Sequence, residues 1–276
     1  MRPRDVRVCV LRIEGTNCEQ EAYQAFADLG AQPEIVHLKQ LTGAAPERMR
    51  RNLEDYHALM FPGGFSAGDY VRAGAVLAAR VKSALSKNLV PFIESGKPVL
   101  GVCNGFQALV ELGMLPGFGG PMAAAPEAAL GTNDSGRFEC RPTFLKNENK
   151  GKCAFTATIP HGGVIMCPSA HAEGKFILPI EQERELLKRL EDSDQIVFRY
   201  VNPEGKRAGH PWNPNGSLDD IAGICSAQGN VMGMMPHPER VFTRYTHPDW
   251  TRNFVGPRGD GMAIFESILE YVAHRF

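Results

Sequence analysis

Apolar and polar positions alternate near the start of the chain. Val6, Val8 and Val10 alternate with Arg7 and Cys9, and Leu11 and Ile13 prolong the run, which predicts a strand over 6–13. The period then lengthens. Thr16 and Asn17 offer side-chain oxygens for a helix start, Glu19 and Gln20 follow three positions after each, and Ala22, Ala25, Phe26 and Leu29 recur at helical spacing until Gly30 stops them. A short strand over 34–38 follows, then a polar and basic helix over 46–54. The apolar run Ala58-Leu59-Met60-Phe61, stopped by Pro62-Gly63-Gly64, completes β-α-β-α-β order. Residues 73–85 read as a helix, 88–95 as a continuation interrupted by Pro91, 98–102 as a fourth strand, and 105–112 as the helix after it.

Strands alternating with helices predict the α/β class, an open, mainly parallel sheet with helices on both faces and ligands bound beyond the carboxyl ends of the strands. The second half reads differently. Gly/Pro/Ala-rich residues 115–131 and the turn-rich stretch 203–220 separate short strands expected near 138–145, 153–159 and 196–201. A helix over 181–190, a hairpin pairing 221–226 with 231–235, and a closing helix over 262–272 complete the pattern. These are strand-and-loop excursions from a single domain expected to span 1–276.

Of the 276 residues 43% are hydrophobic, enough for a sizeable core, which excludes disordered and fibrous classes. The 30 basic and 31 acidic side chains leave a net charge of −1, so no global field recruits nucleic acid or an anionic membrane. Arg7 and Arg12 interrupt the opening stretch where a signal peptide needs apolar residues, and no apolar run approaches the roughly 18 residues of a membrane span. A cytoplasmic location is expected. The seven cysteines form an odd set without a C-x-x-C pair, so reduced thiols are expected. Cys140, Cys153, Cys167 and His171 lack the close paired spacing of structural zinc, and no metal site is expected.

The chemistry gathers elsewhere. Gly101-Val102-Cys103-Asn104-Gly105 follows an apolar strand and opens a helix, the G-x-nucleophile-x-G arrangement of a tight turn that presents a side chain above the sheet. Cys9 and Cys225 lie in strand-like runs and Cys18 in the first helix, which leaves Cys103 alone at a strand-to-helix turn. A free thiol is only slightly ionised at neutral pH, so attack requires a helix N-terminus, a cation or a base. The helix start at Asn104 supplies the first. Met234-Met235-Pro236-His237-Pro238-Glu239-Arg240 supplies a base, with His237 and Glu239 on the same side of an extended segment. Gly63, Gly64 and Asn104 offer backbone N–H groups for an oxyanion. Pro62 to Gly68 lacks both phosphate-loop patterns, so no nucleotide site is expected. Phe106 and Leu109 read as core. Gln107 is either a substrate donor or a solvated polar position, and His171 a second base, a ligand or a loop histidine.

Five stretches carry a resemblance: Leu11 to Glu19, Phe61 to Tyr70, Gly101 to Gln107, Pro168 to Gly174 and Gly233 to Arg240. The chain resembles the class I (triad) glutamine amidotransferases, and among them the family of glutaminase subunits of phosphoribosylformylglycinamidine synthase. That resemblance implies a flavodoxin-like fold, Cys103 as the nucleophile forming a γ-glutamyl thioester, His237 as acid and base, and Glu239 as its orienter. It implies that Phe65 and Gln107 line the glutamine pocket, with His171 beside it. The chain would need no cofactor of its own. Its ammonia would pass to a separate synthetase subunit, which uses ATP and magnesium to convert formylglycinamide ribonucleotide to the amidine, with a small accessory subunit in the assembly. The alternatives are a stand-alone γ-glutamyl cysteine hydrolase, an amidotransferase of another synthetase, and a catalytically idle docking subunit. Relative to compact members of the family, sequence is added around 115–131 and 241–262, and Ala172 stands where glycine is common.

Overall fold

The computed structural model describes residues 1–252 and 256–276, so part of the added stretch 241–262 lies outside the described residues. The first half is β1 (Arg7–Arg12), α1 (Glu19–Asp28), β2 (Gln32–His37), α2 (Leu38–Leu41), β3 (Ala58–Phe61), α3 (Ala75–Glu94), β4 (Val99–Val102) and α4 (Asn104–Glu111). The helix expected over 46–54 is absent. Two single 3-10 turns, Glu47–Met49 and Leu53–Asp55, stand there, separated by extended Arg50, with the Asn52 side chain capping the second. The short α2 went unpredicted, since its stability comes from a local cap in which Gln40 accepts from the His37 N–H and His37 Nδ1 accepts from the Lys39 N–H. Helix α3 runs through Pro91 rather than breaking there. Proline inside a helix costs about 3 kcal/mol. The buried stripe Leu77, Val81, Leu85, Leu89, Phe92 and Ile93 outweighs it at roughly 1.5–3 kcal/mol per side chain.

The second half is β5 (Ala129–Thr132), β6 (Glu139–Asn147), β7 (Val164–His171), β8 (Glu173–Ile177), α5 (Glu183–Asp192), β9 (Ile196–Val201), β10 (Ile221–Cys225), β11 (Val231–Met234) and α6 (Met262–Arg275). No strand forms over 153–159. That segment folds into successive tight turns, with Thr156 N–H donating to Cys153 O and Ile159 N–H to Thr156 O, and Cys153, Ala154, Phe155 and Ile159 are buried without strand alternation.

Among the described residues the main sheet has nine strands in the order β2-β1-β3-β4-β11-β10-β9-β6-β7, and β5 pairs with β8 in a separate ribbon. Only β6 and β10 oppose the common direction, so the sheet is mostly parallel with antiparallel contacts in its second half. The order β2-β1-β3-β4-β11 is the flavodoxin-like arrangement, and its crevice opens at the carboxyl ends near the β1–β3 reversal. Right-handed crossovers put α1 and α3 on opposite faces; α1 packs with α6, and α3 with α4. The edge-on Phe26–Phe265 and Phe242–Phe265 pairs, at 5.0 and 5.9 Å between centroids, join α1, α6 and the segment after β11. Strands β4 and β11 are adjacent and parallel, with Val102 opposite Met234. The residues that follow each strand therefore emerge side by side.

Candidate active site

Cys103 is the residue between β4 and α4, held at φ 52° and ψ −110°, a region costly for a residue with a Cβ. The turn is possible because of what flanks it. A Cβ on Gly101 would stand 2.7 Å from the Gly105 carbonyl oxygen, and one on Gly105 would overlap the carbonyl of Phe61 at the end of β3. The Cys103 N–H donates to Met234 O at 2.8 Å, fastening the turn to β11. The thiol is largely buried, its Sγ 3.6 Å from the Ala170 carbonyl on β7.

His237 leaves β11 with its N–H donating to Pro168 O at 2.8 Å. Its Nδ1 lies 2.6 Å from Glu239 Oε1, and both side chains are buried. The sequence pattern suggested an extended His-Pro-Glu segment. Instead, Pro238–Val241 forms a 3-10 turn that folds the carboxylate back onto the ring. Because the carboxylate accepts, Nδ1 carries a proton and Nε2 of the neutral ring keeps its lone pair. A Cβ on Gly63 would lie 2.7 Å from His237 Cε1, 3.2 Å from Cys18 Sγ and 3.4 Å from Cys103 Cβ, so all three side chains abut this glycine. Burial opposes charge on His237, but the Glu239 carboxylate and then the neighbouring Cys103 and Cys18 thiols outweigh it and hold the imidazole well above its usual range.

Cys18 is the residue that sequence reasoning misplaced. It is not inside α1 but caps it, with Sγ 3.9 Å from His237 Nδ1 and 3.1 Å from Arg240 Nη2. Burial pushes its thiol up, partly countered by the His237 contact. The available signal was its position just past the carboxyl end of β1, beside the strand carrying the Gly-Gly turn.

Cys103, Cys18, His237, Arg240, Gly64, Phe65, Phe138, Ala170 and Asn17 line one small cavity of about 70 Å³. An isolated bridge joins Thr16 to Gly64 through bonds from Asn17 N–H to Gly63 O and from Phe65 N–H to Gly15 O. The flanking peptides close this bridge, which leaves the Gly64 N–H out of it. Asn104 begins α4, and its side chain accepts from Ser66 N–H at 3.1 Å and donates to Asp69 at 3.1 Å, tying the loop after β3 to the helix. Burial raises the Asp69 carboxyl. Gln107 and His171 do not line the cavity. Gln107 donates to Glu173 O and accepts from Asn104 Nδ2, bracing β8 against α4. His171 is buried on β7, where its Nε2 accepts from Asn215 Nδ2 at 3.1 Å.

Cys140, Cys153, Cys167 and His171 do not assemble: Cys140 is exposed, and the buried Cys153 contacts Met232 Sδ at 3.8 Å. Among the described residues, Cys18, His237 and Glu239 are the group of possible metal ligands whose atoms come together, within 4.8 Å of one another. No helix among the described residues is long and apolar enough to cross a membrane.

The arrangement matches known proteins over almost its whole length. The family model of the CobB/CobQ-like glutamine amidotransferase domain matches residues 5–272. A protein of Archaeoglobus fulgidus named phosphoribosylformylglycinamidine synthase subunit PurQ is 53% identical over 99% of each chain. One of the same name from Picrophilus torridus is 44% identical over 94% of this chain and 96% of its own. Among solved structures, a chain of PurLQS from Thermotoga maritima is 33% identical with a TM-score of 0.70, covering 97% of this chain and 99% of that one.

Proposed function

The chain belongs to the family of CobB/CobQ-like glutamine amidotransferase domains, and from that premise we propose that it is the glutaminase subunit of a phosphoribosylformylglycinamidine synthase. The observation that carries the chemistry is the meeting of the Cys103 turn with the His237–Glu239 pair at the ends of two adjacent strands. Cys103 passes its proton to His237 Nε2 and its sulfur attacks the side-chain carboxamide carbon of glutamine. The resulting oxyanion faces the amides of Gly64 and Asn104, while Gly63 gives the imidazole room. His237 returns the proton to the departing nitrogen, releasing ammonia and leaving a γ-glutamyl thioester on Cys103. A water then gives a proton to His237, attacks the thioester carbonyl and releases glutamate, the thiol recovering its proton. Glu239 fixes the ring and balances its charge throughout. Phe65 lines the entrance, whereas Gln107 and His171 support the walls from behind.

No cofactor is needed for these steps. The ammonia serves a separate synthetase subunit that consumes ATP with magnesium to make formylglycinamidine ribonucleotide, with a small accessory subunit in the assembly. On this reading the chain works in the cytoplasm, where its unpaired thiols persist.

Cys103→Ala tests this division of labour. Glutamine-dependent synthesis by the reconstituted complex should fall to background while ammonia-dependent synthesis survives. Loss of both would count against it, and glutamine hydrolysis that no synthetase ever couples to product would favour a stand-alone hydrolase.

A further inference from the structure

One thiol in the site has no part in the reaction just described. Cys18 Sγ sits on the Nδ1 side of His237, 3.9 Å from that nitrogen, away from the proton exchange between Nε2 and Cys103. A second feature of the same corner is an unused oxygen. Glu239 spends Oε1 on His237, but its Oε2 is buried with no hydrogen-bond partner. A buried carboxylate oxygen left unpaired is costly, and it is a ready ligand.

We propose that Cys18, His237 and Glu239 form an inhibitory site for a thiophilic divalent cation of the zinc type, which disables the base from behind the triad. The donor set of one thiolate, one imidazole and one carboxylate suits zinc or cobalt, whereas magnesium and calcium take oxygen ligands. The three ligand atoms lie within 4.8 Å of one another, so small side-chain shifts bring them to the roughly 2.0–2.3 Å of such bonds. Binding displaces the Cys18 thiol proton to solvent and shifts the single proton of the neutral His237 ring from Nδ1 to Nε2, and Glu239 turns from the former N–H to the ion. The Arg240 guanidinium, 3.1 Å from Cys18 Sγ, has to swing away, and Glu21, 3.9 Å from its Nε, is there to receive it. With metal on Nδ1, the neutral ring carries its proton on Nε2. It can no longer accept one from Cys103, although Cys103 itself is not a ligand.

The first test needs no activity. Cobalt(II) titrated into the purified chain should give a thiolate-to-cobalt charge-transfer band that zinc displaces. The band should persist in Cys103→Ala and vanish in both Cys18→Ala and the gentler Cys18→Ser. A band lost in Cys103→Ala, retained without Cys18, or missing from the wild type would overturn the site. The second test rests on the glutaminase reading. In the reconstituted complex, zinc should lower kcat for glutamine hydrolysis at least tenfold with KM little changed, reversibly on chelation, and each Cys18 variant should be slowed far less relative to its own metal-free rate. A cobalt band without that kinetic effect would leave a metal site but overturn the switch. An inactive complex that still binds cobalt would overturn the functional reading and not the site.

Discussion

His171 and His237 are both buried imidazoles in one molecule, yet their surroundings push them in opposite directions. At His237 the Glu239 carboxylate overcomes burial. At His171 burial dominates, the nearby His237 adds to it whenever that ring is protonated, and the value falls to about 4. Geometry supplies a further reason: Asn215 Oδ1 accepts from the Ser217 N–H, which fixes Nδ2 as the group facing His171 Nε2, so a second proton there would meet a donor. A folded-state value below the unfolded one means that the unfolded chain binds the extra proton first. Stability from this residue is therefore intact above about pH 6.5 and is lost as pH falls towards 4, by about 3 kcal/mol in total. His171→Gln should be less stable than the wild type at pH 7, and the gap should close by about that amount near pH 4.5 in urea unfolding. An unchanged gap would contradict the assignment. The sign at His237 is opposite, and its consequence is catalytic. Glu239→Gln removes the charge that holds the proton on the ring, so the acidic limb of the glutaminase pH profile should move to lower pH, with kcat down roughly 10²-fold or more. A displaced rate with an unmoved profile would reduce Glu239 to a packing role.

Elements converge on the site because four strand ends do, and this decides what the sequence could reveal. The Cys103 turn was legible because its pattern is local, a strand, a turn and a helix that are neighbours in the chain: Gly101 is required by contacts within that unit, whereas Gly105 is required by the Phe61 carbonyl at the end of β3. Gly105→Ala should therefore press α4 away from the Phe61 carbonyl, costing about 1–3 kcal/mol in chemical denaturation. It should also slow alkylation of Cys103, whereas alkylation at the wild-type rate would show that the turn tolerates the Cβ. The His237–Glu239 pair was legible as a pair but not as a turn, since Pro236 and Pro238 suggest an extended chain and the 3-10 fold-back depends on packing against β7 and α1. Cys18 was illegible for a related reason. Asn17 resembles an ordinary helix cap, and only the Thr16–Gly64 bridge delays α1 until Glu19 and turns the thiol towards His237. Strands β5, β7 and β8 escaped because Gly131, Pro168 and Gly174 look like breakers, while their pairing is set by distant partners. Gln107 and His171 were expected at the glutamine pocket, but neither lines the cavity, because whether a polar side chain faces the cavity or its wall is settled by tertiary contacts.

For the whole molecule, the proposed reaction creates a problem that one chain cannot solve. Ammonia released beside Cys103 is lost to protonation and diffusion unless another surface covers the exit. The exit is framed by apolar groups: Phe65 and Phe138 both line the cavity, yet each stands about half exposed, at 52% and 51%, and Tyr70 and Val71 on the adjoining loop are more exposed still. Aromatic side chains are costly to leave in water but well suited to the buried centre of an interface. If the synthetase subunit seats there, a charge in that rim should damage the handover while leaving the chemistry on both sides intact. Phe138→Asp is the cleaner probe, because Phe65 adjoins the Gly63-Gly64 turn. In the reconstituted complex it should reduce glutamine-dependent synthesis several-fold, leave ammonia-dependent synthesis near wild type, and raise the ratio of glutamate formed to amidine formed above one. Glutamate and amidine still produced in step, with assembly unweakened, would mean that the partner approaches from another face and that these aromatics serve only the entry of glutamine.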